Sequence, residues 1–211
     1  MDKSTNLKKY ESKNPLRRFL LGRFMKKVGE IVANINPEVV LDAGCGEGMI
    51  INYLDKTIRR DDDTLDQNKF GSGQVKKMYY GIDISAGAIE EAKKRVLFAN
   101  LQTGSVYALP YADNFFDLVI CSEVLEHLEE PEKALKELKR VSKKYVLLSV
   151  PNEPWFRISS LISGKYLKTW GNHPEHVQNW TAGQFVKMVG KYFKVLEITN
   201  GFPWIIVLVE K

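Results

Sequence analysis

The chain has little cysteine, no long apolar run and no internal repeat, and each absence narrows what it can be. Of its 211 residues only Cys45 and Cys121 are cysteine. Two thiols are too few for a disulfide framework or an all-cysteine zinc site, and both sit at or near the ends of apolar runs, where they read as small buried hydrophobes. No apolar stretch approaches the ~20 residues that span a bilayer. The amino-terminal segment shows neither an uninterrupted apolar core nor a small-residue cleavage site, so a secretory signal is not expected and a cytoplasmic location is. No repeat or low-complexity tract points to a solenoid.

What is present fits one ordinary domain. The apolar fraction is 44% and the charged fraction 27%, near the globular average, so a sizeable core can form over residues 1–211. The net charge is +5, with Lys8, Lys9, Lys13, Arg17, Arg18, Arg23, Lys26 and Lys27 crowded near the start. Such a cluster suits an anionic partner or, more simply, the solvated face of a helix. Residues 15–34 support the second reading: Leu16, Leu20, Phe24, Val28, Ile31 and Val32 recur at helical spacing after Pro15, which suits a first turn.

From residue 38 strands and helices alternate. Short β-branched runs at 38–43, 78–83, 101–106, 116–122 and 144–151 are separated by helical segments, or by a turn-rich loop between the third and fourth, with Ser85 as an N-cap and Pro131 near the start of another helix. This rhythm predicts an α/β fold around a parallel sheet. Residues 57–77 are polar, charge-dense and without a face to bury, and read as a flexible surface insertion. After Pro151 the rhythm stops: residues 152–180 carry Trp155, Trp170, Trp180, His173 and His176 without clear period. A helix capped by Thr181 follows, then two strands joined by a Gly-Phe-Pro turn, a connection short enough to require antiparallel pairing.

The chemistry concentrates at Asp42-Ala43-Gly44-Cys45-Gly46-Glu47-Gly48, a glycine turn between a buried strand and a helix. Glycine lets backbone approach a ligand, and the helix start offers free N–H groups. Asp83 ends the second strand, where a carboxylate in a nucleotide-binding half-fold accepts from ribose hydroxyls. A dinucleotide fingerprint needs G-x-G-x-x-G, and position 49 is Met49.

VVLDAGCGEGMI, YYGIDIS and ALPYADNFFDLVICSEVLEHLEEPEKALKELKRV together resemble, in order and spacing, the motifs of class I S-adenosylmethionine (SAM)-dependent methyltransferases of the small-molecule branch, most nearly the ubiquinone- and menaquinone-biosynthesis type. That resemblance implies a Rossmann-like three-layer sandwich with a seven-stranded mixed sheet, order 3-2-1-4-5-7-6, strand 7 antiparallel. It implies SAM as cofactor, with Gly44 and Gly46 of the turn, and Cys45 between them, along the methionine portion and Asp42 at its amino group. Asp83 would hold the ribose diol, Ile84 the adenine face, Ser105 and Val106 the adenine edge, and Ser122 the sulfonium region.

A sulfonium methyl is already activated, so the protein must align acceptor, methyl and sulfur, and needs a base only for an acceptor that keeps its proton. His127, just after the fourth strand, is the candidate base or acceptor-orienting group. Glu123 and Glu126 in the same loop would orient SAM or cap the next helix. His173, His176 and Trp170 are candidates for the acceptor pocket. Pro174 disfavours the helical geometry that would pair the two histidines, so no metal site is assigned. A small-molecule acceptor is favoured over nucleic acid, since no Asn-Pro-Pro-Tyr-type tetrapeptide is present. A non-catalytic SAM-binding subunit, with 57–77 as a partner segment, is the third reading.

Overall fold

In the computed structural model, residues 14–64, 77–162 and 176–211 are described. Helix α1 (Pro15–Ile35) begins on an Asn14 cap that accepts from the Arg17 amide. It is followed by β1 (Val39–Ala43), α2 (Met49–Thr64), β2 (Met78–Asp83), α3 (Ala86–Arg95), β3 (Asn100–Thr103) and β4 (Phe116–Ser122). A 3-10 turn at Leu125–His127 leads to α4 (Pro131–Val141), β5 (Ser142–Pro151), α5 (Trp155–Ile162), α6 (Ala182–Val189), β6 (Lys194–Gly201) and β7 (Trp204–Glu210). Ser85 caps α3, and Thr181 and Gln184 form a reciprocal capping box on α6.

The seven strands form one sheet in the order β3-β2-β1-β4-β5-β7-β6. β7 runs antiparallel to both β5 and β6, and the remaining pairs are parallel. Side chains alternate between two cores, as strand geometry requires. Val39, Leu41, Val119, Val146 and Val207 meet α4 and α6, whereas Val40, Leu118, Leu147 and Ile206 meet α1, α2 and α3. The result is the three-layer sandwich the sequence resemblance implies.

Some boundaries differ from the sequence expectations. Helix α2 continues to Thr64, into the stretch read as an insertion, and the rest of that stretch, 65–76, lies outside the described residues. On α1, Leu16 is exposed, while Leu21 and Met25 join the core. α1 packs against a sheet face; the Phe24 ring packs at a tilt, centroids 5.3 Å apart, on Trp204, the register partner of Pro151 at the carboxyl end of β5. No helix among the described residues is long and apolar enough to cross a membrane.

Candidate active site

The site lies where β1, β2 and β4 end side by side, since in parallel strands of an open sheet every carboxyl end faces the same rim. The chain leaves β1 through Gly44, Gly46 and Gly48, with φ of 87°, 51° and 74°. These left-handed angles are open to glycine and strained for other residues. At Gly44 a second constraint applies: an added Cβ would lie 2.2 Å from Val124 Cγ2. The loop after β4 is therefore seated directly on the glycine turn.

The turn is fixed to the tip of β2. The Gly44 and Cys45 amides donate to the Ile82 carbonyl at 2.7 and 3.0 Å, and the Gly46 amide donates to Asp83 Oδ2 at 2.8 Å. Asp83 Oδ1 accepts from the Ser85 amide at 2.9 Å. Each carboxylate oxygen carries a second lone-pair site, so Asp83 can still accept two hydroxyls. The Cys45 side chain is buried in the core shared with α1–α3, and burial, then the charges of Asp42 and Asp83, push its thiol far up. Cys45 thus presents backbone, not a nucleophile, to the turn. Gly81 makes room for it, because a Cβ there would lie 2.9 Å from the sulfur.

Asp42 is 1% exposed, and its Oδ2 has no hydrogen-bond partner among the described residues. Burial, and next the charge of Asp83, raises its pKa to about 7. A buried carboxylate oxygen without a donor fits a ligand that brings an ammonium group. Ile84, next to Asp83, is 79% exposed, an apolar surface that suits a flat ring. Ser105 is held in the following loop, where its Oγ accepts from the Tyr107 amide at 3.2 Å, and Val106 is buried beside it. Ser122 Oγ pairs with Ser149 Oγ across the β4–β5 ladder at 2.8 Å.

Beyond β4, Glu123 adopts φ 59°, a strained conformation for a residue with a side chain, and its Oε2 accepts from Trp204 Nε1 at 2.6 Å. Glu126 is 1% exposed, in the 3-10 turn. Neither glutamate caps α4, whose N-cap position is Glu130. His176 comes to this turn from the far side: its ring centroid is 5.0 Å from that of His127 and 5.4 Å from that of Phe156. The Val177 and Gln178 amides both donate to the Glu126 carbonyl at 2.9 Å, and Gln178 Nε2 donates to the Leu128 carbonyl at 3.2 Å. His173 and Trp170 lie outside the described residues. The juxtaposition of Glu126 with His176 carries no signal in the sequence, because nothing periodic links the two segments.

Residues 41–149, half of the chain, match the methyltransferase domain family. The chain belongs to that family, and its domain is of the class I, S-adenosylmethionine-dependent kind. It is 26% identical over 166 residues to a demethylmenaquinone methyltransferase of Thermotoga maritima, covering 77% of this chain and 66% of that one. It is 25% identical over 174 residues to a ubiquinone biosynthesis O-methyltransferase of Nitrosomonas europaea, covering 79% of this chain and 63% of that one. The chain thus spans less than two thirds of the length of either relative. Among solved structures it shares the fold of magnesium protoporphyrin IX methyltransferase from Synechocystis with SAH bound: TM-score 0.66, 20% identity, 99% of this chain and 95% of that one covered.

Proposed function

We propose that this chain transfers the methyl group of SAM to an oxygen, nitrogen or carbon centre of a small, partly apolar molecule. The observation that carries the reading is the pair of carboxylates at the rim: Asp42 buried with an oxygen that lacks a donor among the described residues, Asp83 locked to the glycine turn with acceptor capacity left over. They match the two polar ends of one ligand, an ammonium and a vicinal diol. Gly44, Cys45 and Gly46 give the methionine portion a backbone surface free of side chains, Ile84 packs on the adenine, and Ser105 and Val106 border its edge. Ser122 and the loop of His127 lie on the side from which an acceptor approaches, with His127 orienting the acceptor or taking its proton.

The apolar character of the acceptor is supported by Trp155, Ile158, Val177 and Phe202, all exposed, with Trp155 and Phe202 rings 6.2 Å apart. Phe156, from the same helix as Trp155, touches His176. Exposed apolar side chains gathered near a polar site favour a ligand with an apolar body. The names of the two quinone-pathway relatives agree with such an acceptor.

Isothermal titration with SAM and with S-adenosylhomocysteine tests the cofactor half of the reading. Both should bind one per chain, and Asp83→Ala should weaken both. Absence of binding, or binding unchanged by that substitution, overturns it. Incubation of cell extract with labelled SAM and the protein, followed by identification of the labelled product, tests the acceptor half.

A further inference from the structure

The cations at the start of α1 take no part in the cofactor site, yet the fold brings them to the same rim. α1 leads directly into the start of β1, and its Phe24 meets Trp204 at the carboxyl end of the sheet, so its first turns lie at that end. At roughly 1.5 Å per residue the helix carries Leu16 about 12 Å past Phe24. It thereby stands beyond Leu20 and Leu21, the first residues of α1 that reach the core. Leu16, Phe19, Arg23 and Lys26 recur at intervals of three and four and share the face turned away from the sheet. Leu16 is 51% exposed and Phe19 60%. The Arg23 guanidinium lies 5.8 Å from the centre of the Phe19 ring, a cation held over an apolar surface. Arg18 is exposed beside them, and no carboxylate occurs between Pro15 and Gly29. Lys26 and Lys27 share Glu30 at the next turn. The rim also carries Trp155 and Ile158 on α5, just after β5, and Phe202 in the turn between β6 and β7, all exposed. Phe202 packs on Trp155 at 6.2 Å and lies just before Trp204, on which α1 rests. A single exposed apolar side chain needs no explanation, but here several from three segments gather at one end of the sheet beside a run of cations.

We propose that this end of the molecule docks on the surface of an anionic lipid bilayer. Leu16 and Phe19 enter the headgroup boundary, Trp155 and Phe202 sit at its level, and Arg18, Arg23 and Lys26 meet lipid phosphates. Charge and apolar character together select this occupant, because apolar side chains bordered by cations on a helix face are what an anionic interface binds. A second copy of this chain, packed by the same face, would set like charges against each other. An RNA backbone would satisfy the cations and leave Leu16 and Ile158 against polar groups. Docked in this way, the carboxyl rim of the sheet faces the membrane, and an acceptor reaches His127 from the lipid side, past Trp155 and Phe202. Such an acceptor is an amphiphile whose apolar body stays in the bilayer while its polar head enters the site. That last step rests on the methyl-transfer reading; the docking itself does not.

Co-sedimentation of the full chain with vesicles tests the docking. The protein should pellet with vesicles of equimolar phosphatidylcholine and phosphatidylglycerol, stay in solution with phosphatidylcholine alone, and leave the anionic vesicles as salt is raised. Each cation at such a surface changes affinity about fivefold, so Arg18→Gln combined with Arg23→Gln should weaken binding roughly twentyfold. Phe19→Ser should weaken it about tenfold or more, through the apolar area no longer buried. Both variants change exposed side chains away from the cofactor, so SAM affinity and thermal unfolding should match the wild type. No pelleting with anionic vesicles, equal pelleting with phosphatidylcholine alone, or pelleting undiminished in both variants overturns the docking. Binding of polyuridine RNA in place of vesicles, or a dimer lost in Phe19→Ser without vesicle binding, gives the face to another occupant and equally overturns it. Extract incubated with labelled SAM and the protein should yield a product that partitions into chloroform; a water-soluble product overturns delivery from lipid. SAM titration separates the two readings: SAM binding without docking rejects the surface alone, and docking without SAM binding keeps the surface and rejects methyl transfer.

Discussion

The carboxylate of Asp83 accepts the amide proton of Gly46 at 2.8 Å, so the tip of the second strand and the bend after the first are one rigid object. A ligand that meets either side chain meets a surface already assembled, and little conformational entropy is lost when it binds.

Removal of this tie is expected to be costly for the cofactor. Asp83→Ala deletes a charge-assisted hydrogen bond to Gly46 and, on the proposed reading, the acceptor for the ribose diol, each worth roughly 1.5–3 kcal/mol. SAM affinity, measured by calorimetry, should fall by about two orders of magnitude or more. Asp83→Asn keeps one oxygen acceptor and should fall less.

Asp42 gives a dependence on pH with a definite sign. Its pKa rises from an ordinary 3.8 to about 7 on folding, because burial, then the charge of Asp83, disfavours the anion. A carboxyl raised on folding contributes stability fully below its unfolded pKa and loses that contribution as pH rises through the folded one. The ligand-free chain should therefore lose thermal stability as pH rises from about 4 to about 7 and level off above that, and Asp42→Asn should flatten that loss. SAM should show the opposite slope, its ammonium binding more tightly from about pH 5.5 to about pH 7 as Asp42 ionises. The slope should vanish in Asp42→Asn.

Gly44→Ala tests the seat of the loop after β4. The new methyl group meets Val124 Cγ2 at 2.2 Å, and the backbone is held at φ 87°. A cost of about 1–3 kcal/mol is expected from the backbone alone, which for a chain of this size lowers the midpoint of thermal unfolding by several degrees. Combining it with Val124→Ala should recover the part due to the collision and leave the part due to φ, so the double variant should melt between Gly44→Ala and wild type.

Arg140 reaches the cofactor only through the loop that it holds. Its guanidinium donates to the carbonyls of Leu109 and Tyr111 at 2.8 and 2.7 Å and to the carboxylates of Asp113 and Glu137, both at 2.8 Å, while Glu137 accepts from the Leu109 amide at 2.9 Å. Arg140→Met should cost about 2 kcal/mol, discounted because the pair is partly exposed. It should also speed amide hydrogen exchange across residues 105–113, the loop carrying Ser105 and Val106. SAM affinity should fall less than in Asp83→Ala. Unchanged exchange in that loop would remove the link.

How far the sequence reaches is clear from particular residues. Ser85, Thr181 and Pro15 stand at helix starts as their side chains predict, because capping involves only neighbours three residues away. The alternation of strand and helix was legible for the same local reason, and strand order followed from the motif resemblance. Leu16 shows the limit: its spacing matches the apolar stripe of α1, yet it is exposed, because periodicity does not say where the sheet beneath ends. The cap of Trp204 on Glu123 and the meeting of His176 with Glu126 are of the same kind, contacts between distant segments that no local pattern encodes.

By itself, then, the sequence determined the bend after β1, its three glycines, and the acidic residues on either side, since backbone angles and charge are properties of the residues themselves. The tertiary structure alone decided that Asp42 Oδ2 is buried with no donor among the described residues, that Cys45 faces inward, and that Glu126, His127 and His176 converge. Those outcomes depend on which surfaces the sheet brings together at its carboxyl rim, and burial and encounter are set by the packing of the whole chain.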